Sequence, residues 1–298
     1  MKQEIIRDAM AIIQQRKREA EANYNTKMAP LFCDEEYIQA YKNYTRLQIE
    51  NARKMAYGEK PDEKSEQQAL DKIERLKDKH RLSGEKINYS CKKCNDEGYN
   101  NGQMCTCLKT EISKQILKNS GFEELKDFDN EIKTSGDLAP VYKKMQDWCN
   151  SDFKKNLIYI AGPTGVGKTY LIRCMANELI KRGKIIKMVS APNMSIEFKE
   201  FTKYQDTDII KKYIDCEVLF IDDLGTETMF KNSTLENLYL VLNERKIRRL
   251  PTIITSNLSL SDLGAIYGER IYSRIVDRDT SITIYLNGQD KRINKNKY

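Results

Sequence analysis

The sequence lacks any uninterrupted apolar run of the ~18 residues that a membrane-spanning helix needs. Its first residues, MKQEIIRDAMAIIQQRKREAEA, carry scattered charges and lack the apolar centre of a signal peptide. These absences predict a cytoplasmic protein without a membrane partner. Histidine is scarce too. The single one, His80, lies before the first of four clustered cysteines and is predicted to be at the surface.

The segment GPTGVGKT at residues 162–169 fits the phosphate-binding pattern G-x-x-x-x-G-K-[ST]. An apolar run at 156–161 precedes it, and a segment with helical spacing follows it. Backbone N–H groups in such a loop bind a polyphosphate, Lys168 reaches its β- and γ-phosphates, and Thr169 offers a hydroxyl to Mg²⁺. The predicted ATP-binding residues are Gly162, Pro163, Thr164, Gly165, Val166, Gly167, Lys168, Thr169 and Tyr170.

Polar residues follow two further predicted strands. Asp222 and Asp223 follow the run at 218–221, and Asn257 follows the run at 251–256. Ligands bind at the carboxyl ends of strands in open α/β sheets. Asp222 is therefore predicted to hold Mg²⁺, and Asp223 to polarise the water that attacks the γ-phosphate, with Glu227 as the alternative. The Asn257 amide is predicted to contact that water and the γ-phosphate.

Basic residues supply further candidates. Arg270 and Arg274 are four residues apart on a predicted helix, which indicates either a solvated basic face or an arginine that completes a neighbouring subunit's site. Arg292 is a weaker candidate for a contact to the nucleotide of its own subunit. Lys199 and Lys203 are predicted to face DNA, and Phe198 and Phe201 the core. A second basic cluster, or a solvated helix end, comprises Arg245, Lys246, Arg248 and Arg249.

Taken in order, GPTGVGKT, VLFIDDLGTE, PTIITSNLS and GERIYSRI resemble the AAA+ ATPases of the DnaC/DnaI helicase-loader and IstB group. The resemblance covers residues 150–292. It implies a five-stranded sheet of order 5-1-4-3-2, ATP hydrolysis between subunits, and Arg274 rather than Arg270 as an arginine finger in trans. Asp223 departs from the glutamate of most AAA+ proteins, which leaves the rate of hydrolysis open.

Four of the eight cysteines, Cys91, Cys94, Cys105 and Cys107, form the pattern C-x2-C-x10-C-x-C. Four thiolates in one short loop predict structural zinc, with an iron–sulfur cluster as the alternative. Such a module ahead of the ATPase is similar to what DnaC-type loaders carry, whereas IstB transposition helpers generally have helices without it. Buried small apolar positions are predicted for the others, Cys33, Cys149, Cys174 and Cys216.

The organisation has four predicted parts: a helical partner-binding region at 1–88 that starts with a short helix, a four-cysteine zinc module at 89–108, a connector at 109–150, and an α/β AAA+ domain at 151–298. Strands are predicted near 156–161, 184–190, 217–222, 251–256 and 281–286. Helices are predicted near 167–182, 193–204, 206–214, 232–248 and 261–277. This alternation is typical of a parallel sheet covered on both faces.

These features predict an ATP-dependent loader that self-assembles, binds ATP, Mg²⁺ and Zn²⁺, and places a hexameric replicative helicase on single-stranded DNA. The excess of positive charge lies mostly in residues 151–298, which suits a nucleic-acid partner. Two alternatives stay open. One is an IstB-like ATPase that serves a transposase, and the other is a zinc-containing nucleic-acid-binding protein whose nucleotide acts only as a switch.

Overall fold

A computed structural model of the protein describes residues 2–129 and 136–288. Its contacts divide the chain into two compact units, one of Arg7–Glu111 and one of Met1–Ile6 with Ile112–Tyr298. None of the helices in the described ranges is both long and apolar enough to cross a membrane.

Helices make up most of the N-terminal part of the chain. They are α1 (Lys2–Met28), α2 (Glu35–Ala56) and α3 (Glu63–Lys79), with a 3₁₀ turn at Ala29–Cys33. The first helix is far longer than the short one predicted. Asp34 caps α2 and Asp62 caps α3, each accepting backbone N–H bonds at the helix start. Two short strands, β1 (Tyr99–Asn100) and β2 (Gln103–Met104), and the helix α4 (Thr106–Ser120) follow.

Two predictions about this region were wrong. Cys33 is exposed, because Leu31 is the residue of the 3₁₀ turn that packs into the core between α2 and α3. His80 is half-buried rather than at the surface, and its Nε2 lies 2.9 Å from Asp34 Oδ2. The cap of α2 therefore has a second partner from the end of α3.

A parallel sheet of five strands forms the second unit. The strands are β3 (Leu157–Ala161), β4 (Ile186–Ser190), β5 (Val218–Leu224), β6 (Thr252–Ser256) and β7 (Ser281–Tyr285). Their order across the sheet is β4-β5-β6-β3-β7, with every pair parallel. If β3 to β7 are renumbered 1 to 5 and the sheet is read from β7 to β4, this is the predicted order 5-1-4-3-2. The predicted fold class is confirmed.

Helices cover both faces of the sheet. They are α5 (Ala139–Cys149), α6 (Lys168–Lys181), α7 (Ala191–Tyr204), α8 (Thr207–Ile214), α9 (Thr234–Ile247) and α10 (Leu260–Ile275). One core joins α5 and α6 to the sheet and includes Phe122 and Phe128 of the connector. The other core packs the four helices α7, α8, α9 and α10 on the sheet. It includes Phe198, and Phe201 packs against it. Both faces of the central strands are thereby removed from water, as their apolar runs predict.

The basic cluster predicted at the end of α9 is not one surface. Arg245 is fully buried, and its guanidinium donates to the carbonyl oxygens of Tyr213, Ile214, Cys216 and Pro251 and to the Thr252 hydroxyl. A guanidinium carries five donors, so this ring of acceptors replaces its hydration. Lys246 pairs with Asp277 at 2.6 Å, and Arg248 with Asp215 at 2.8 Å.

Candidate nucleotide site and metal centre

The loop at 162–167 between β3 and α6 is a cradle that only glycine allows at two positions. A side chain at Gly162 would place its Cβ 2.3 Å from the Leu286 carbonyl oxygen. Gly167 has a φ of +103° and precedes the first residue of α6, whose helical bonding starts when Leu171 N–H donates to Gly167 O at 2.9 Å. The positive N-terminal end of the α6 dipole therefore lies at the loop, where a phosphate would bind.

Lys168 is buried at the start of α6 and joins the phosphate loop to β6. Its Nζ donates to the carbonyl oxygens of Gly162 and Pro163 at 2.8 Å and to Asn257 Oδ1 at 2.6 Å. Two residues predicted to contact the γ-phosphate, Lys168 and Asn257, are therefore side by side. The ammonium is held by neutral oxygens that a polyphosphate would readily replace, so the residues fit the nucleotide.

Thr169 and Asp222, the two predicted magnesium ligands, also meet. Thr169 Oγ1 donates to Asp222 Oδ2 at 3.3 Å, and the Thr255 hydroxyl donates to the other carboxylate oxygen. Burial raises the pKa of Asp222, while these two hydroxyl donors act in the opposite direction. A carboxylate and a hydroxyl are oxygen ligands of the kind that Mg²⁺ takes beside phosphates.

Asp223 leaves the strand in an unusual conformation. Between the pairs Ile221–Ile254 and Leu224–Ser256, β5 has one residue more than β6, which is a β-bulge. Asp223 has a φ of +58°, and its backbone N–H donates to Thr255 Oγ1 at 2.9 Å. Within the described part of the chain no hydrogen bond reaches its partly exposed carboxylate. At this bulge the carboxylate is partly exposed and available for a water.

Thr255 was not among the predicted site residues. It is fully buried, bonds the Asp222 carboxylate and supports the Asp223 backbone. PTIITS contains three hydroxyl residues, Thr252, Thr255 and Ser256, so the sequence alone does not single out Thr255.

Glu227, the predicted alternative to Asp223, is engaged elsewhere. One carboxylate oxygen accepts from Gly225 N–H at 2.8 Å, and the other accepts from the Tyr267 hydroxyl. Tyr170 is half-buried beside the loop, with Lys126 Nζ 5.4 Å from its ring centroid.

The two arginines lie beyond a break in α10. Gly268 has φ +72° and ψ 168°, so the helix restarts after it. Arg274 donates to Asn243 Oδ1 at 3.1 Å and to the Tyr239 hydroxyl at 3.3 Å. Arg270 is exposed, and no side-chain partner for it lies within residues 2–129 and 136–288. Arg292 lies outside the described residues.

The four clustered cysteines form a compact site. All four Sγ atoms lie within 4.8 Å of one another, with 3.7 Å between those of Cys91 and Cys105 and 3.4 Å between those of Cys94 and Cys107. Tetrahedral zinc with bonds of about 2.3 Å separates its sulfur ligands by roughly 3.8 Å. The donor set and its spacing fit Zn²⁺.

Local structure explains why these thiols meet. The strands β1 and β2 form a hairpin, and Asn101 and Gly102 both have positive φ in the turn between them. The buried Asp96 carboxylate accepts the backbone N–H groups of Ser90 and Cys91 and so closes the first knuckle. The helix α4 begins between the last two cysteines.

We expect the purified protein to hold about one zinc ion per chain and Cys94→Ser to lose it, because three thiolates leave the tetrahedral shell incomplete. Metal analysis of both proteins by mass spectrometry tests this. Cys33→Ser, which removes an exposed cysteine outside the cluster, is the matched control and should retain the metal. ATP binding should survive in both variants. Protein free of zinc, or protein holding iron with visible absorbance, contradicts this expectation.

The parallel sheet of this order, the glycine cradle with Lys168, and the acidic pair at the end of β5 together define an AAA+ ATPase with a P-loop. The chain belongs to the family described as IstB-like ATP binding protein, whose sequence model matches residues 110–296.

Several curated proteins are similar to this chain. The phage-like element PBSX protein XkdC of Bacillus subtilis is 29% identical over 221 residues, which cover 63% of this chain and 80% of XkdC. The replicative helicase loader DnaI of Bacillus subtilis is 31% identical over 115 residues, 38% of this chain and 37% of DnaI. The chromosomal replication initiator DnaA of Campylobacter jejuni is 33% identical over 121 residues, 40% of this chain and 27% of DnaA. The matches thus span well under half the length of DnaA and DnaI.

Two solved structures are similar to part of this chain. A crystal structure of DnaI is 26% identical, with a TM-score of 0.44, and the match covers 60% of this chain and 93% of that one. A crystal structure of the DnaC helicase loader is 21% identical, with a TM-score of 0.46, over 58% of this chain and 99% of that one.

Proposed function

We propose that this protein is an ATP-dependent loader that places a replicative DNA helicase on single-stranded DNA. The observation that carries the proposal is the joining of an IstB-like ATPase site to a four-cysteine centre and a helical unit in one chain. The family resemblance associates such a cysteine module with loaders rather than with transposition helpers. The similarity to DnaI, a protein named as a replicative helicase loader, supports the same choice.

The residues of the site divide the work of hydrolysis. Lys168 and the loop N–H groups bind the phosphates, and Thr169 with Asp222 would hold Mg²⁺, which neutralises charge on the phosphates when bound. Asp223 orients and polarises the attacking water, because its carboxylate has no competing bond within the described residues. Asn257 holds Lys168 before nucleotide binds and contacts the γ-phosphate afterwards.

An arginine from a neighbouring subunit completes each site. The contacts favour Arg270 over Arg274 for this role, since the guanidinium of Arg274 is bound to Asn243 and Tyr239 of its own chain. Arg270 is exposed and is presented one turn earlier on the same helical segment. A cation on the transferring phosphoryl group stabilises the charge of the transition state.

Single-stranded DNA would bind along α7. Lys199 Nζ lies 4.6 Å from the Phe230 ring centroid, and Lys203 Nζ lies 4.7 Å from the ring centroid of the exposed Tyr204. Aromatic rings beside lysine ammonium groups offer stacking for bases and pairing for phosphates.

A loading assay tests the proposal. The replicative helicase of the same organism is offered circular single-stranded DNA coated with single-strand-binding protein, and unwinding of an annealed oligonucleotide is followed. We expect unwinding to require this protein and ATP, and Lys199→Ala/Lys203→Ala to reduce it by weakening contacts to DNA. Lys143→Ala/Lys144→Ala, two exposed lysines of α5 on the other face of the sheet, is the matched control.

The rival is an ATPase that assists a transposase, which the resemblance to the IstB group also allows. It predicts no helicase-dependent unwinding and no binding to the helicase, but stimulation of strand transfer by a transposase. Unwinding that proceeds equally without this protein contradicts the loader proposal.

A further inference from the structure

Glu227 and Tyr267 connect two parts of the chain that serve different nucleotides. Glu227 ends the turn at 223–227, which starts at Asp223 in the subunit's own site. Tyr267 is the last residue before the break at Gly268, and the arginine segment, residues 269–275, follows it. The Tyr267 hydroxyl donates to one Glu227 carboxylate oxygen. This hydrogen bond thus joins the turn after β5 to the helix that carries Arg270 and Arg274.

The turn at 223–227 is closed by its own hydrogen bonds and by packing. The Asp223 carbonyl oxygen accepts Thr226 N–H at 3.2 Å and the Thr226 hydroxyl at 2.7 Å. Gly225 N–H holds the second Glu227 oxygen at 2.8 Å. The Leu258 side chain packs so closely on Gly225 that an added Cβ would lie 2.7 Å from it. These contacts tie the position of Glu227 to that of Asp223.

The start of the arginine segment depends on Tyr267. Apart from the chain neighbours of Gly268, no atom of residues 2–129 and 136–288 lies within 4 Å of the position that a Cβ would take there, so packing among these residues does not fix the direction of the chain at Gly268. Tyr267 is buried, and burial raises the pKa of its phenol, which stays protonated and donates. Ile271 and Ile275 anchor the segment on the core, and Arg274 bonds Asn243 and Tyr239. The bond from Tyr267 ties the start of the segment to the turn.

We propose that Glu227 is a positioning residue that acts through Tyr267 on the arginine segment. The pair couples the state of each subunit's own nucleotide site to the arginine that the subunit presents to its neighbour. This inference rests on the proposed function, because it requires an arginine that acts in trans. It also assigns Glu227 a role other than that of the base for the attacking water.

A test with mixed subunits separates the two sides of one site. The donor subunit carries Asp223→Asn, so it binds ATP and keeps its arginines without hydrolysing. The acceptor subunit carries Arg270→Ala/Arg274→Ala, so it keeps an intact catalytic site without an arginine. Turnover in the mixture then arises only where a donor's arginine meets an acceptor's nucleotide. ATP turnover is measured with Tyr267→Phe added to the donor or to the acceptor.

We expect Tyr267→Phe in the donor to lower the turnover of the mixture roughly tenfold, as for the loss of one hydrogen bond to a charged group. The same change in the acceptor should leave turnover unchanged, because Gly225 still holds Glu227 there. In the donor, Glu227→Ala should match Tyr267→Phe. Glu227→Gln should restore most of the turnover, because its amide can accept from Gly225 and donate to Tyr267.

Each result decides between the claims. Equal losses on the donor and acceptor sides, or no loss on either, overturn the coupling and leave the inter-subunit site standing. If the variants lower ATP turnover only when they are in the acceptor subunit, and Glu227→Gln lowers it as much as Glu227→Ala, then Glu227 is the base for the attacking water. A parent mixture without turnover, under conditions where the wild-type protein assembles and hydrolyses ATP, overturns the inter-subunit site of the proposed function and the coupling with it.

Discussion

Lys168→Ala should bind ATP at least ~100-fold more weakly than the wild-type protein, since truncating one side of a buried charge contact costs about 2–5 kcal/mol. The ammonium is buried at the start of α6 and is held by Gly162, Pro163 and Asn257. Removing it takes from the cradle the cation that contacts the β- and γ-phosphates. Titration of a fluorescent ATP analogue, followed by anisotropy, gives both dissociation constants.

Lys181→Ala is the matched control for this experiment. Lys181 lies on the same helix, is exposed, and pairs with Asp127 at 3.2 Å. Its loss should leave ATP affinity unchanged, because surface ion pairs contribute little. Thermal melting of both variants without nucleotide checks that the fold is intact. If folded Lys168→Ala binds ATP with nearly the affinity of the wild type, the assignment of this loop to the nucleotide site is wrong.

Asp223→Asn should bind ATP normally and hydrolyse it roughly 10²-fold or more slowly, because a positioned general base contributes that much. The carboxylate projects from the bulge of β5, and the change to an amide keeps its shape while removing its charge. Phosphate release in a single turnover measures the chemical step, and the dissociation constant is measured separately. A loss of turnover with unchanged ATP affinity indicates that Asp223 stabilises the transition state of hydrolysis and not the bound ATP.

Glu227→Gln is the counterpart of Asp223→Asn, because both convert a carboxylate near the end of β5 into an amide. Glu227 is already bound by Gly225 and Tyr267, so its amide should support nearly normal turnover. The reverse pattern, with Asp223→Asn active and Glu227→Gln inactive, would transfer the role of base to Glu227. Wild-type protein that binds ATP without any turnover would instead favour the nucleotide switch.

The sheet order and its strands were predictable because local and global signals agree. The strands β3 and β5 contain apolar runs, and motif residues mark the carboxyl ends of β3, β5 and β6, namely Gly162, Asp222 and Asn257. The phosphate loop fixes one strand, and the resemblance then supplies the order of the others. The cysteine spacing likewise predicts a cluster before its geometry is seen.

What escaped prediction depends on partners distant in sequence. The bulge at Asp223 exists only in the register with β6, and Thr255 acquires its role from lying opposite that bulge. The charged sequence around Arg245 predicts a surface cation at a helix end. In the structure, five hydrogen-bond acceptors from two other segments enclose its guanidinium. Neither periodicity nor composition carries this information.

The buried Arg245 has a consequence for how the chain reaches its native topology. Its acceptors come from residues 213–216, ahead of β5, and from residues 251–252, at the start of β6. Only a chain that has placed these two strands next to each other can bury the guanidinium without a large loss of solvation. Mispaired collapsed forms must keep that helix end in water, so a single side chain selects against wrong strand neighbours during folding.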